Sequence, residues 1–211
     1  AASDLNTINA LTTGVITIAS TNITGSSTDV AAVYAANGAA EGVAGLNNET
    51  VTISGTTSAA ADLVAINAAT TGVVTVNSTT ITGTAANLVT AYAAQGVSEG
   101  IDGLGNEAVT VSGASSAAAD LNTVNAATTG VVTVNSTTIT GTAADVKTAY
   151  AAQGVSEGID GLGNEAVTIS GATSAAADLV AINAATTGVV TINSTAITGS
   201  AADVAAVYAA Q

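Results

Sequence analysis

A 58-residue unit recurs along the whole chain, and it limits every architecture the chain can adopt. The units run 1–58, 59–116, 117–174 and, as a partial fourth, 175–211. The second and third differ at 8 of their 58 positions, so what one folds into the other must fold into as well. A fixed period of this size predicts a supersecondary unit that buries its apolar face against its neighbours in one continuous array. Composition supports stacking over a single globule. Apolar residues make up 48% of the 211, yet Phe, Trp, Met, Cys, His and Pro are absent and the burden falls on Ala and Val. Side chains this small close-pack only where backbones approach closely, as they do between regular layers.

Each unit contains two half-units that begin alike, one at Asp62-Leu63-Val64-Ala65-Ile66-Asn67 and one at Asn87-Leu88-Val89-Thr90-Ala91-Tyr92. Leu63 with Ile66, and Leu88 with Ala91 and Tyr92, have the spacing of one helical face. Thr142 with Asp145 and Ser200 with Asp203 fit an N-terminal capping box, and Gly72 and Gly96 are placed to supply left-handed C-caps. The predicted helices are short, about 8–10 residues, and depend on packing for stability. Between them, Val73–Val76, Thr80–Thr82 and Val109–Val111 are β-branched runs punctuated by Asn77-Ser78 and Gly83, as strands and turns are. The fold expected is therefore an α/β repeat solenoid, two helix–strand coils per unit, 25 and 33 residues from helix start to helix start. Crossover connections would set equivalent strands side by side in a parallel sheet. An all-β solenoid is the alternative. Differences between units agree with the helical faces: Val64/Asn122, Ala65/Thr123 and Val89/Lys147 vary, while Leu5, Leu63, Leu121 and Leu179 do not.

Charge excludes some partners. Fifteen acidic residues face one cation, Lys147, for a formal net charge of −14. Nucleic acid and anionic membrane surfaces would repel such a chain. No apolar run approaches the roughly 18 residues of a membrane span, so membrane insertion is not expected. The chain does not begin with Met and reads as a processed or excised piece of a longer protein.

Four constellations recur with the unit. Tyr34, Tyr92, Tyr150 and Tyr208, the only aromatics, are expected to pack between coils as a structural row. Asn9, Asn67, Asn125 and Asn183 hold the matching place in the other helix and are expected to form an amide ladder bonded to neighbours or loop backbone. The Gly-rich loop that gathers Glu99, Asp102 and Glu107, repeated as Glu157, Asp160 and Glu165, offers hard oxygen ligands of the kind Ca²⁺ takes. Its spacing matches no EF-hand or nonapeptide Ca²⁺ repeat, and in the first unit Ala44 replaces the Asp. Ca²⁺ is the one cofactor the sequence suggests; otherwise none is expected. Thr80-Ile81-Thr82 and its relatives raise an ice-binding face, interrupted by Asn22 and Ala196. Asn-x-Thr triplets begin at Asn22, Asn48, Asn77, Asn135 and Asn193, a weak signal in a chain so rich in Asn, Ser and Thr. Catalysis is not expected, because every acidic cluster recurs almost unchanged whereas an active site is one unique constellation.

Ala118-Ala119-Asp120-Leu121-Asn122-Thr123, Thr128-Thr129-Gly130-Val131-Val132 and Ile139-Thr140-Gly141-Thr142-Ala143-Ala144-Asp145 resemble the tandem repeats of very large secreted proteins of marine cyanobacteria and other bacteria. The resemblance covers the whole chain through motifs of low complexity. It implies an adhesin-like or surface-fibre role outside the cell. On this reading the chain is a structural protein, a rod-like segment of a filament or adhesin stalk that assembles with itself, head-to-tail or laterally. A repeat module holding Ca²⁺ or glycan, or contacting a cell surface, is the alternative.

Overall fold

The structure, a computed structural model, describes residues 1–210; Gln211, the last position of the partial fourth unit, lies outside the described residues. Helices alternate with parallel strands in several sheets, a repeated α/β architecture. Eight helices among the described residues overturn the all-β alternative: the Ala-rich stretches satisfy their backbone groups internally instead of forming tight coils. The chain divides into two compact units, Ala1–Gly83 with Asn87–Glu107, and Thr84–Ala86 with Ala108–Gln211.

In the first, the elements in order are α1 (Ala2–Leu11), β1 (Ile16–Thr17), β2 (Asn22–Gly25), α2 (Ser27–Ala35), β3 (Val43–Ala44), β4 (Thr50–Ile53), β5 (Thr57–Ala59), α3 (Ala60–Ala69), β6 (Val74–Val76) and β7 (Thr80–Gly83). They are followed by α4 (Ala85–Ala93) and β8 (Ile101–Asp102). Strands β2, β4, β6 and β8 make one parallel sheet in that order, β1 pairs with β3, and β5 with β7. The second unit holds β9 (Ala108–Val111), β10 (Ser115–Ala117), α5 (Ala118–Ala127), β11 (Val132–Val134), β12 (Thr138–Gly141), α6 (Ala143–Ala151) and β13 (Ile159–Asp160). After these come β14 (Ala166–Ile169), β15 (Thr173–Ala175), α7 (Ala176–Ala185), β16 (Val190–Ile192), β17 (Ala196–Thr198) and α8 (Ala201–Ala209). Here β10, β12, β14 and β16 form a sheet, β11 lies between β9 and β13, and β15 pairs with β17. Helix α2 packs on α1 and α3 in the first unit, and α6 on α5 and α7 in the second.

Paired strands are equivalent only at every other step, where equivalence throughout was expected. Ile23 of β2 pairs with Val51 of β4, both on the second strand after their helix. Val51 in turn pairs with Val74 of β6, the first strand after its helix. The longer coil carries three strands, β3 to β5, where the shorter carries two, so the partner slides by one strand at every second step. The second unit repeats this, with Ile139 opposite Val167 and Val167 opposite Val190.

The core is built from strand alternation and one helical stripe. Val51, Ile53, Val74, Ile101, Leu63 and Ile66 are all buried completely. Between the inward residues stand outward threonines in register, Thr24 with Thr52 and Thr75, and Thr140 with Thr168 and Thr191. The first column ends at Asp102, opposite Thr75.

The capping acids work as expected at α2, α6 and α8, while α4 carries Asn87 at the matching place. Thr142 Oγ1 accepts from the Asp145 amide at 3.2 Å and donates to Asp145 Oδ2 at 2.7 Å. Ser26 with Asp29 and Ser200 with Asp203 do the same. The expected C-cap at Gly96 has the left-handed backbone, φ +69°, three residues beyond α4. Gly72 does not. Thr70 ends α3 in an extended conformation, and Gly72 is required because a Cβ there would overlap the Glu49 carbonyl.

Candidate functional site

The structure joins two rows that the sequence kept apart. Tyr34 near the end of α2 points at Glu49, fifteen residues on, just before β4; Tyr92 meets Glu107, and Tyr150 meets Glu165. The phenol–carboxylate distances are 3.3, 2.9 and 3.0 Å, each to Oε2. A backbone amide donates to the same oxygen: Asn47 at 2.9 Å, Gly105 at 2.9 Å and Gly163 at 2.7 Å, with Asn164 adding a second at 3.2 Å. The three carboxylates are only 2–3% exposed. A buried carboxylate is costly without donors, and here the loop turns back so that donors converge on Oε2.

The knot also fastens the loop to the helix that follows. Thr70 Oγ1 donates to the Glu49 carbonyl at 2.8 Å while accepting from the Gly72 amide at 3.0 Å. Thr186 repeats this on Glu165 and Gly188, at 3.2 and 2.9 Å. Burial, mainly, pushes the Tyr34 phenol up to about 12; the Thr70 hydroxyl opposes this, and the charge of Glu49 reinforces it. Tyr150 is raised further by the same burial, against Thr186 and with Glu165. Both phenols therefore stay protonated at neutral pH and act as donors. Tyr208 is 59% exposed.

The acids read as Ca²⁺ ligands do not converge. Glu107 and Glu165 face the tyrosines, Glu99 and Glu157 are exposed at φ +60°, and Asp102 and Asp160 are exposed on β8 and β13. Among the described residues no group of three acidic, His or Cys side chains is placed to hold a metal. Asn9, Asn67 and Asn125 lie part-buried on their helices, but their Oδ1 atoms have no hydrogen-bond partner, and Asn183 is exposed. The amide oxygens thus do not make the bonded ladder expected of them.

Sequence reasoning missed a row of serines. Ser58 and Ser78 share a hydrogen bond of 2.7 Å, Ser116 and Ser136 one of 2.6 Å, and Ser174 and Ser194 one of 2.6 Å. Ser78, Ser136 and Ser194 are the middle residues of the Asn-Ser-Thr triplets, so those triplets have a structural reason. Their threonines also work, with Thr79, Thr137 and Thr195 donating to backbone carbonyls of Thr56, Ala114 and Ala172. The asparagines that begin all five triplets are exposed. Beside the Tyr150 knot lies a polar groove of about 400 Å³ lined by Asn135, Thr137, Gly161 and Asn164 among others. No helix among the described residues is long and apolar enough to cross a membrane.

No protein-family model, curated protein or solved structure matches this chain.

Proposed function

We propose that this chain is a structural protein, a segment of an extracellular filament or adhesin stalk in which 58-residue units stack as an α/β solenoid. The observation that carries the reading is the Tyr–Glu–Thr knot. It recurs with the same partners at Tyr34 and Tyr150, and each time it ties one coil's loop to the threonine that ends the next helix. A device repeated unchanged serves cohesion of the array. Parallel strands support growth in one direction, since each coil offers a row of backbone donors and acceptors to the next. The resemblance to giant secreted repeat proteins and the uniform acidity, which keeps such surfaces soluble, support a role outside the cell. Self-association, head-to-tail or lateral, would supply the filament.

Electron microscopy of the purified chain at rising concentration tests this, alongside sedimentation velocity. Fibres of constant width are expected. Monodisperse single chains at all concentrations, under low and physiological salt alike, would sink the filament reading.

A further inference from the structure

We infer that the polar groove beside the Tyr150 knot binds a neutral sugar, held between the Glu165 carboxylate and the side-chain amides of Asn135 and Asn164. One wall is the turn from β11 to β12, with Asn135 and Thr137; the other is the loop after β13, with Gly161 and Asn164. The walls stand together because β11 pairs with β13, Thr133 opposite Asp160. Gly161 keeps them close: its φ is +90°, and a Cβ on it would overlap the Val134 carbonyl. Glu165 also lines the groove and is only 3% exposed. Tyr150 and the amides of Gly163 and Asn164 all donate to its Oε2, and no described residue donates to Oε1. A carboxylate oxygen set this deep is costly without a donor, so a ligand that brings one is favoured. Asn135 and Asn164 are exposed, and their side-chain amides have no partner among the described residues.

The chemistry of the lining selects hydroxyls. Oε1 of Glu165 only accepts, while the amides of Asn135 and Asn164 each accept and donate. Thr137 spends its proton on the Ala114 carbonyl and keeps lone pairs to accept with. Sugar hydroxyls also both give and take, so a ring with neighbouring hydroxyls can meet all of these groups at once. A metal ion would use oxygens alone, about six to eight of them for Ca²⁺, whereas Glu165 is the one acid among the lining residues. That same carboxylate repels an acidic sugar. The groove's volume, about 400 Å³, is of the order small-ligand sites have. Asn77, Thr79, Gly103, Asn106 and Glu107 repeat the residue set in the second 58-residue unit, while Ala19 breaks it in the first, so two such sites are expected per chain. None of this depends on the chain stacking into filaments.

Nuclear magnetic resonance of the full chain, reading the side-chain amide signals of Asn135 and Asn164, tests the groove directly. The probes are the methyl glycosides of mannose, galactose and glucose, each titrated into the millimolar range. Saturable movement of both signals with at least one glycoside is expected. Asn135→Ala, an exposed change outside the knot, should weaken binding at Asn164 by about tenfold or more, and Glu165→Gln should do the same. If Glu165→Gln fails to fold, the Asn135 variant still decides. Absence of saturable movement with every glycoside, or undiminished binding by Asn135→Ala, would overturn the inference. So would the same movements produced by ammonium or calcium chloride without sugar, which would make the groove a cation site.

Discussion

The phenol of Tyr150 donates to Glu165 Oε2 at 3.0 Å, and both groups are almost wholly buried. Removing only the hydroxyl, in Tyr150→Phe, leaves an almost wholly buried carboxylate short of a donor. The expected loss is about 1–3 kcal/mol. Tyr150→Ala adds a cavity and should cost about 3–5 kcal/mol. Urea unfolding read by circular dichroism measures both. A change below about half a kcal/mol for the Phe variant, the range of ordinary surface sites, would mean the bond contributes nothing.

The raised phenols predict an alkaline limit. The folded-state value for Tyr34 is about 12, above the ordinary 10.0, so the folded chain holds this proton more tightly than the unfolded chain does. Its contribution to stability is complete below pH 10 and is lost as pH rises from there through about 12. Tyr150, also raised, acts in the same sense. Melting temperature should hold steady from neutral pH and fall above pH 10, with tyrosinate absorbance from Tyr34 appearing late. Early ionisation of Tyr34, read in a variant with the other three tyrosines changed to Phe, would contradict the burial.

Gly72→Ala should destabilise by about 1–3 kcal/mol, because the new methyl must push the Glu49 carbonyl and the knot it belongs to. At this site the usual helix-stabilising effect of Gly→Ala does not apply, since Gly72 lies beyond α3. Thermal unfolding decides it, and a neutral or stabilising result would show that the approach is looser than drawn.

Ser116 and Ser136 should behave as a couple. Either single Ala variant strands a buried hydroxyl and is expected to cost about 1–3 kcal/mol, while the double variant costs less than the sum. Strict additivity in a double-mutant cycle would separate the two residues.

Calcium titration by calorimetry should give no heat, and melting temperature should not move. The buried Glu107 and Glu165 face tyrosines, and the exposed acids around them are not gathered. Saturable uptake would favour the metal reading of the loops.

The helices were legible because their signals are local. Leu63 with Ile66 marks a face, and Thr142 with Asp145 marks a start. The strands were legible for the same reason, as Val74-Thr75-Val76 alternates within itself. The sliding register was not, since it follows from three strands in one coil meeting two in the next, and β5 and β10, with so few apolar residues, carry no strand signal of their own. Nor was the knot. Tyr and Glu stand fifteen apart in all three complete units, even in the first, where Ala44 displaced the Asp but Glu49 stayed. That persistence was the available signal, hidden because a glutamate in a Gly-rich loop looks like a solvated one. The serine pairs were masked in a similar way by the Asn-Ser-Thr triplets around them.

The slipped strand pairing has a mechanical consequence. In the second unit, sheets begin and end on different coils: β13 closes one, β10 opens another, and β15 opens a third. Like courses of brick laid in running bond, the joints do not line up. A straight crack between the coil of β11 and β12 and the coil of β13 to β15 would have to tear β12 from β14 in the middle of a sheet, and cannot pass through the gaps alone. Pulled apart between those coils, such a wall should resist until β11–β13 and β12–β14 give way together.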